Sequence, residues 1–306
     1  MSTEPAPDGA VRPRIGIVGV GRMGSAVLRR LLGTGWTVAA HDLDPGRDSE
    51  VTRAGGRWSG DLVELVRWAD VVLTVLPDGD VVRDALTGEV LAAAGPGTVW
   101  VDLTSGAPDT TRALAERAAA QGVLLLSAPI GGSPDDALHG RLQFFAGGPP
   151  EALVAARPVL ETLARPGGIR VVGEDAPATQ TVKLLVNALW FASAVATGEA
   201  LLVAQAAGIE PGRMEELLSG TAGASAFSDD HLGRYLGGDD LETFGIDGVV
   251  TELRNLRAAA GDLRTPVLDT SLRQHEDALA HFGPALGELL GVRLLEEQNE
   301  RSLRGC

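Results

Sequence analysis

The chain has 306 residues, 44% apolar and 22% charged, a globular composition with enough apolar mass for one large or two ordinary domains. Its 26 basic and 41 acidic side chains give a formal charge of -15, which repels phosphate backbones and anionic membranes; nucleic acid and membrane partners are excluded, and an anionic ligand must be held by local positive potential. The single cysteine, Cys306, excludes a disulfide framework or a cysteine metal site, and the five histidines show no ligand spacing, so no metal is expected.

Residues 1–12 are polar, acidic and Pro-containing, without the apolar segment of a signal peptide, and read as a frayed tail. No later stretch reads as apolar over the length a bilayer demands, so a cytoplasmic protein is expected. From Arg14 to about Gly148, β-branched runs over 15–19, 37–41, 71–76, 98–103, 123–129 and 142–147 alternate with helical patterns near 22–33, 61–68, 79–86, 108–121 and 149–164. A run over 169–173 adds an edge strand. This alternation predicts an α/β domain over 13–174, a doubly wound, mostly parallel sheet of the Rossmann type. Residues 177–208 are rich in Ala and Leu, with no proline after position 177 and only Gly198 to interrupt them, and predict a helix spanning roughly 45 Å that joins two domains. Segments near 212–219, 225–236, 244–261, 265–281 and 283–302 are helical by composition and period. Residues 175–306 are therefore expected to form an all-α domain that begins with the interdomain helix, and its apolar Ala/Leu stripes, more than one small core absorbs, suggest a homodimer.

Gly19-Val20-Gly21-Arg22-Met23-Gly24 follows the first strand and opens a helix, and Asp42 ends the next strand. Gly19 permits a tight turn, Gly21 lets backbone approach a pyrophosphate and Gly24 lets helix and strand pack, while the helix N-terminus supplies amide donors and positive dipole. Strand, helix, spacing and acidic residue together point to a dinucleotide, with Gly19, Gly21, Arg22, Met23 and Gly24 at the phosphates. Asp42 would accept hydrogen bonds from the adenosine ribose and repel an added phosphate, which favours NAD over NADP; the alternative is a capping Asp42 with Arg47 reaching a 2′-phosphate. Leu76, Pro77 and Asp78 follow a strand at the carboxyl edge, where the cofactor should lie.

Further motifs are Asp102-Leu103-Thr104-Ser105-Gly106-Ala107-Pro108, Ser127-Ala128-Pro129-Ile130-Gly131-Gly132-Ser133 with Asp136-Ala137-Leu138-His139-Gly140-Arg141-Leu142, and Lys183 with Asn187 four residues later. With Met23 inside the glycine loop, the set resembles the β-hydroxyacid dehydrogenase family, relatives of 6-phosphogluconate dehydrogenase and of the imine reductases, over nearly the whole chain after the tail. The resemblance implies that Thr104 and Ser105 lie along the nicotinamide half of the cofactor, that residues 131–133 bind substrate, that Lys183 is catalytic with Asn187 beside it, and that the chain dimerises. Three departures stand out. The two hydroxyl residues at Thr104 and Ser105 are swapped, the family's substrate-binding serine is Gly131, leaving the amides of Gly131 and Gly132 and the Ser133 hydroxyl, and its second lysine falls by spacing on Thr251-Glu252-Leu253 and is missing. Ser225, Ser228 and Arg234 lie in the domain that completes the family's pocket, and Arg234 is a candidate to replace the lost charge.

Lys183 is the only lysine of the chain. Arginine keeps its proton near neutral pH, whereas a buried lysine can be brought from about 10.4 into the working range. Lys183, Asn187 and Trp190 share one helix face and could line a pocket wall. The leading expectation is hydride transfer between nicotinamide and a small hydroxy acid or semialdehyde, with Lys183 moving the hydroxyl proton. An imine reductase is the alternative, and a non-catalytic dinucleotide sensor the third reading. His41, His139, His231, His275 and His281 read as surface or capping residues.

Overall fold

The computed structural model describes residues 12–305; the tail expected over 1–12 lies outside the described residues except for Arg12, as does Cys306. Arg12 is tied down, its guanidinium 5.2 Å from the Trp36 ring centroid and donating to the Thr34 carbonyl at 2.8 Å. The chain divides into two compact units, Met1–Lys183 and Leu184–Cys306.

The first unit runs β1 (Ile15–Val18), α1 (Arg22–Gly33), β2 (Val38–His41), α2 (Asp48–Arg53), β3 (Arg57–Trp58), α3 (Leu62–Trp68), β4 (Val71–Thr74), α4 (Gly79–Ala85), α5 (Gly88–Ala94), β5 (Val99–Asp102), α6 (Pro108–Ala120), β6 (Leu124–Ser127), β7 (Ile130–Gly131), α7 (Pro134–His139), β8 (Leu142–Gly147), α8 (Pro150–Leu163) and β9 (Ala164–Gly173). The sheet order is β3-β2-β1-β4-β5-β6-β8-β7, with β9 also on β8. β3 through β6 pair in parallel, whereas β8 runs antiparallel to β6 and β7. The order steps outward from β1 in both directions, the doubly wound pattern.

The central strands are apolar at nearly every position because helices cover both faces of the sheet. Ile15, Ile17, Leu73, Val101 and Leu126 pack on one side with Val27, Leu28, Leu31 and Leu160. Val18, Val72, Trp100 and Leu125 pack on the other with Leu65, Val66 and Leu114. Helix starts follow local chemistry. The side chains of Asp61, Asp78 and Thr87 accept from backbone amides of the first turns of α3, α4 and α5, and prolines stand at the starts of α6, α7 and α8.

The sequence does not announce α2, α5 or α7, nor β3 or β7; the two strands span two residues each, too few to carry a period, and the three helices six or seven. The edge strand expected over 169–173 begins earlier, at Ala164.

A long helix, α9, spans Ala176–Ala206, and the unit boundary falls inside it. The first unit thus reaches past position 174, because Ala176, Thr179 and Gln180 are buried, Ala176 among the sheet's own apolar residues. Contrary to expectation, α9 is long and apolar enough to cross a membrane by length and composition. Buried positions recur along it at Thr179, Leu184, Phe191, Ala194, Leu201 and Leu202, while Leu185, Leu189 and Val203 stand exposed.

The second unit continues with α10 (Pro211–Leu218), α11 (Ala226–Asp230), α12 (Leu232–Leu236), α13 (Ile246–Ala259), α14 (Pro266–Phe282) and α15 (Leu290–Gln298). The single helix expected over 225–236 breaks at His231, which caps α11 and precedes α12. The helix expected over 283–302 exists only as α15, because Gly283 and Gly287 take positive φ of 73° and 138° and Leu286 bridges to Gly245. Gly198 does not interrupt α9; a Cβ there would lie 2.6 Å from Val292 Cγ1 of α15, so the glycine is what lets the two helices approach. His275 is not a surface residue. It is 1% exposed, its Nδ1 lies 2.7 Å from the Ser271 carbonyl oxygen, its ring packs 5.7 Å from that of Phe191, and burial pushes its pKa down.

Candidate active site

Val18, His41, Thr74, Asp102 and Ser127 end their strands in register. The following residues, Gly19, Asp42, Val75, Leu103 and Ala128, therefore leave the sheet along one carboxyl edge, the edge at which doubly wound sheets bind ligands.

At β1 the chain turns sharply. Gly19 has φ +98°, and a Cβ on it would collide with the Val75 carbonyl oxygen; one on Gly24 would collide with the Gly19 carbonyl oxygen. Among the described residues, a Cβ on Gly21 would meet nothing within 4 Å. Gly21 is the N-cap of α1 and brings no side chain to its first amides. Two glycines are thus demanded by packing and one faces open space at a positive helix end, a cradle that fits a pyrophosphate. Arg22 is exposed and Met23 packs partly against the sheet core.

Asp42 is half-buried, and its carboxylate accepts from the Val20 amide at 2.6 Å and the Asp44 amide at 2.9 Å, which fixes it against the glycine loop. Arg47, the candidate for a 2′-phosphate, instead lies 3.6 Å from Asp44 and 3.5 Å from Glu50. The donors and acceptor present fit a dinucleotide with a free adenosine ribose.

Beyond β4, Leu76 donates its amide to the Thr104 hydroxyl at 3.1 Å, Pro77 is exposed, and Asp78 caps α4 through the Val81 amide at 2.9 Å. Thr104 is buried and Ser105 half-buried. Under them lies Asp102, 2% exposed, whose Oδ1 accepts from the Thr74 hydroxyl at 2.8 Å and the Thr104 amide at 3.1 Å. Burial raises its pKa to about 6 against the lowering effect of those two donors and of the Thr104 hydroxyl.

Gly131 lies in β7, where a Cβ would find only ordinary contacts, so the backbone does not require glycine there. Gly132 has φ +125° and does require it. The Ser133 hydroxyl is engaged in a capping box with Asp136, donating to its carboxylate at 2.7 Å.

Lys183 is 8% exposed. Asn187 stands one turn further along α9 and donates Nδ2 to Glu252 Oε2 at 2.6 Å; Glu252 is itself 8% exposed. Trp190 is half-buried and makes edge contacts with Phe191, Phe227 and His231 at centroid distances of 5.5 to 5.7 Å. Arg234 pairs at the surface with Asp239 at 2.6 Å, and Ser225 and Ser228 cap α11 together. These three residues are thus occupied locally.

Two functional candidates escaped the sequence reading. Gln180, fully buried, bonds the backbone of residues 104–106, and Glu252 holds Asn187. A polar residue three positions before Lys183, on the same helix face, was the available signal for the first. The second sits where the family's lysine segment aligns.

Residues 14–174 match the family model described as the NAD binding domain of 6-phosphogluconate dehydrogenase, and residues 178–288 the one described as NAD-binding of NADP-dependent 3-hydroxyisobutyrate dehydrogenase. The 3-hydroxyisobutyrate dehydrogenase of Pseudomonas aeruginosa is 33% identical over 213 residues, 69% of this chain and 70% of that protein. The solved structure of the Mycobacterium tuberculosis 3-hydroxyisobutyrate dehydrogenase with L-serine superposes with a TM-score of 0.84 at 26% identity, covering 93% of this chain and 99% of that one. An imine reductase variant from Myxococcus stipitatus with NAD+ shares the fold, with a TM-score of 0.65 at 22% identity over 93% of this chain and all of that one.

Proposed function

This chain belongs to the β-hydroxyacid dehydrogenase family, an NAD(P)-dependent group of oxidoreductases, and from that premise we propose that it interconverts a small hydroxy acid and its semialdehyde. The observation that carries the reading is Lys183, the chain's only lysine, buried on α9 with Asn187 one turn beyond it. Nicotinamide, when bound, takes up or gives the hydride. In oxidation, neutral Lys183 accepts the hydroxyl proton at Nζ; in reduction its ammonium returns the proton to the carbonyl oxygen. Glu252 holds the Asn187 amide nitrogen and so sets which way that amide faces. The Asp42 carboxylate, fixed beside the glycine loop, favours NAD, since a 2′-phosphate would be set against its charge.

Reduction of an imine is the second reading. It is favoured by how the three carboxylate candidates stand: Gly131 brings no side chain, the Ser133 hydroxyl caps α7 and Arg234 is paired with Asp239.

α9 also leaves Leu185, Leu189 and Val203 exposed at 46%, 69% and 70%, with Ala196 and Ala200 exposed on the same stripe. An apolar stripe of this length supports a homodimer built on the second unit.

The test follows nicotinamide absorbance with NAD+ or NADP+ against 3-hydroxyisobutyrate, L-serine and L-threonate, and NADH or NADPH against semialdehydes and cyclic imines. Hydroxy acid turnover with NAD+, cut roughly 100- to 10,000-fold in Lys183→Ala, is expected. Full turnover in that variant would sink the lysine's role, and activity on imines alone would transfer the assignment to the second reading.

A further inference from the structure

The 104–106 turn is fastened to α9 by one side chain. Gln180 is fully buried; its Oε1 accepts from the Gly106 amide at 2.9 Å, and its Nε2 donates to the Thr104 carbonyl at 2.9 Å and to Ser127 Oγ at 3.3 Å. The two backbone groups it grips flank Ser105. From below, the same turn is held by Asp102 through the Thr104 amide and by the Leu76 amide through the Thr104 hydroxyl. A second bond, Ser127 Oγ to Thr179 Oγ1 at 2.7 Å, ties the end of β6 to the same turn of α9. Lys183 follows Gln180 by three residues, a rise of about 4.5 Å on the same helix face.

The sheet order says which half of a dinucleotide this turn serves. Asp42 stands at the end of β2, the glycine loop at the end of β1, and β4 and β5 follow on the far side. With adenosine at Asp42 and pyrophosphate at the start of α1, the nicotinamide half runs toward the ends of β4 and β5.

We propose that Gln180 is a positioning residue that holds the 104–106 turn in register with the helix turn bearing Lys183, and so fixes the nicotinamide end of the site without touching the adenosine end. The inference rests on dinucleotide binding and is independent of the substrate. Satisfaction of buried polar groups alone would give the same hydrogen bonds, so the experiment must separate the two halves of the ligand.

The probes are NADH and ADP-ribose, which lacks the nicotinamide ring, titrated calorimetrically against the intact chain and Gln180→Met, with the fluorescence of bound NADH read in parallel. The expected result is NADH binding weakened at least tenfold with an altered emission, while the ADP-ribose Kd stays within twofold. Gln180→Glu keeps an acceptor for Gly106 but sets an oxygen against the Thr104 carbonyl, and gives the same reading should the methionine variant fail to fold. Parallel weakening of both ligands, or no change in NADH binding, would overturn the proposal. Because no turnover is measured, its failure is distinct from failure of the hydroxy acid reading.

Discussion

Asp102 shows what a buried acid does to the first unit. Its partners are the Thr74 hydroxyl and the amide and hydroxyl of Thr104, and burial moves its pKa from 3.8 to about 6. The folded state therefore holds the proton more tightly than the unfolded chain. This group's contribution is most favourable below about pH 3.8, declines as pH rises through the window to about 6, and is flat above it, at a cost of about 3 kcal/mol at neutral pH. Asp102→Asn keeps an oxygen to accept from Thr74 and Thr104 and removes the ionisation. Urea midpoints measured between pH 4 and 7 should lose that decline in the variant; equal slopes in variant and parent would refute the account. The same polar cluster marks where sequence reading stops at this scale. Lys183 was legible because it is the only lysine, whereas Gln180 grips residues more than 70 positions away, and no local pattern announces such a bond. Arg234 is held by a nearby Asp239, which offers its guanidinium an ion pair at the surface that no motif foretells.

At the scale of elements, α9 and α15 are matched through a missing side chain. Gly198→Ala gains about 1 kcal/mol of helix propensity, but its Cβ would stand 2.6 Å from Cγ1 of Val292, a stiff β-branched neighbour. Overpacking of this kind costs about 1–3 kcal/mol, so net destabilisation is expected in thermal or urea unfolding. Paired with Val292→Ala, the alanine should recover much of the loss; additive effects in the double variant would rule out the clash. The central strands, α1 and α9 were legible because each carries a long period or a buried apolar run. The short helices α2, α5 and α7 were not: α5 and α7 start on side-chain caps, as the box between Ser133 and Asp136 illustrates, and α2, six residues long, starts without one. Helical composition across 283–302 misled because Gly283 and Gly287 adopt positive φ before α15 begins.

Over the whole molecule, the exposed stripe of α9 sets the expected assembly. Leu189→Glu with Val203→Glu places charge where a second copy would bury apolar surface, and should turn a dimer into a monomer in light scattering while NADH still binds. A monomeric parent, or a variant that stays dimeric, would refute a contact through this stripe. The position of Lys183 has a further consequence. The one lysine of the chain is the last residue of the first compact unit, shielded within a continuous helix. A lysine-specific endoprotease therefore has one peptide bond to cut, and only when that part of α9 opens. The products are the two units themselves, Met1–Lys183 and Leu184–Cys306, so a two-band gel becomes a gauge of how often a single helical turn beside the proposed proton-transfer group comes undone.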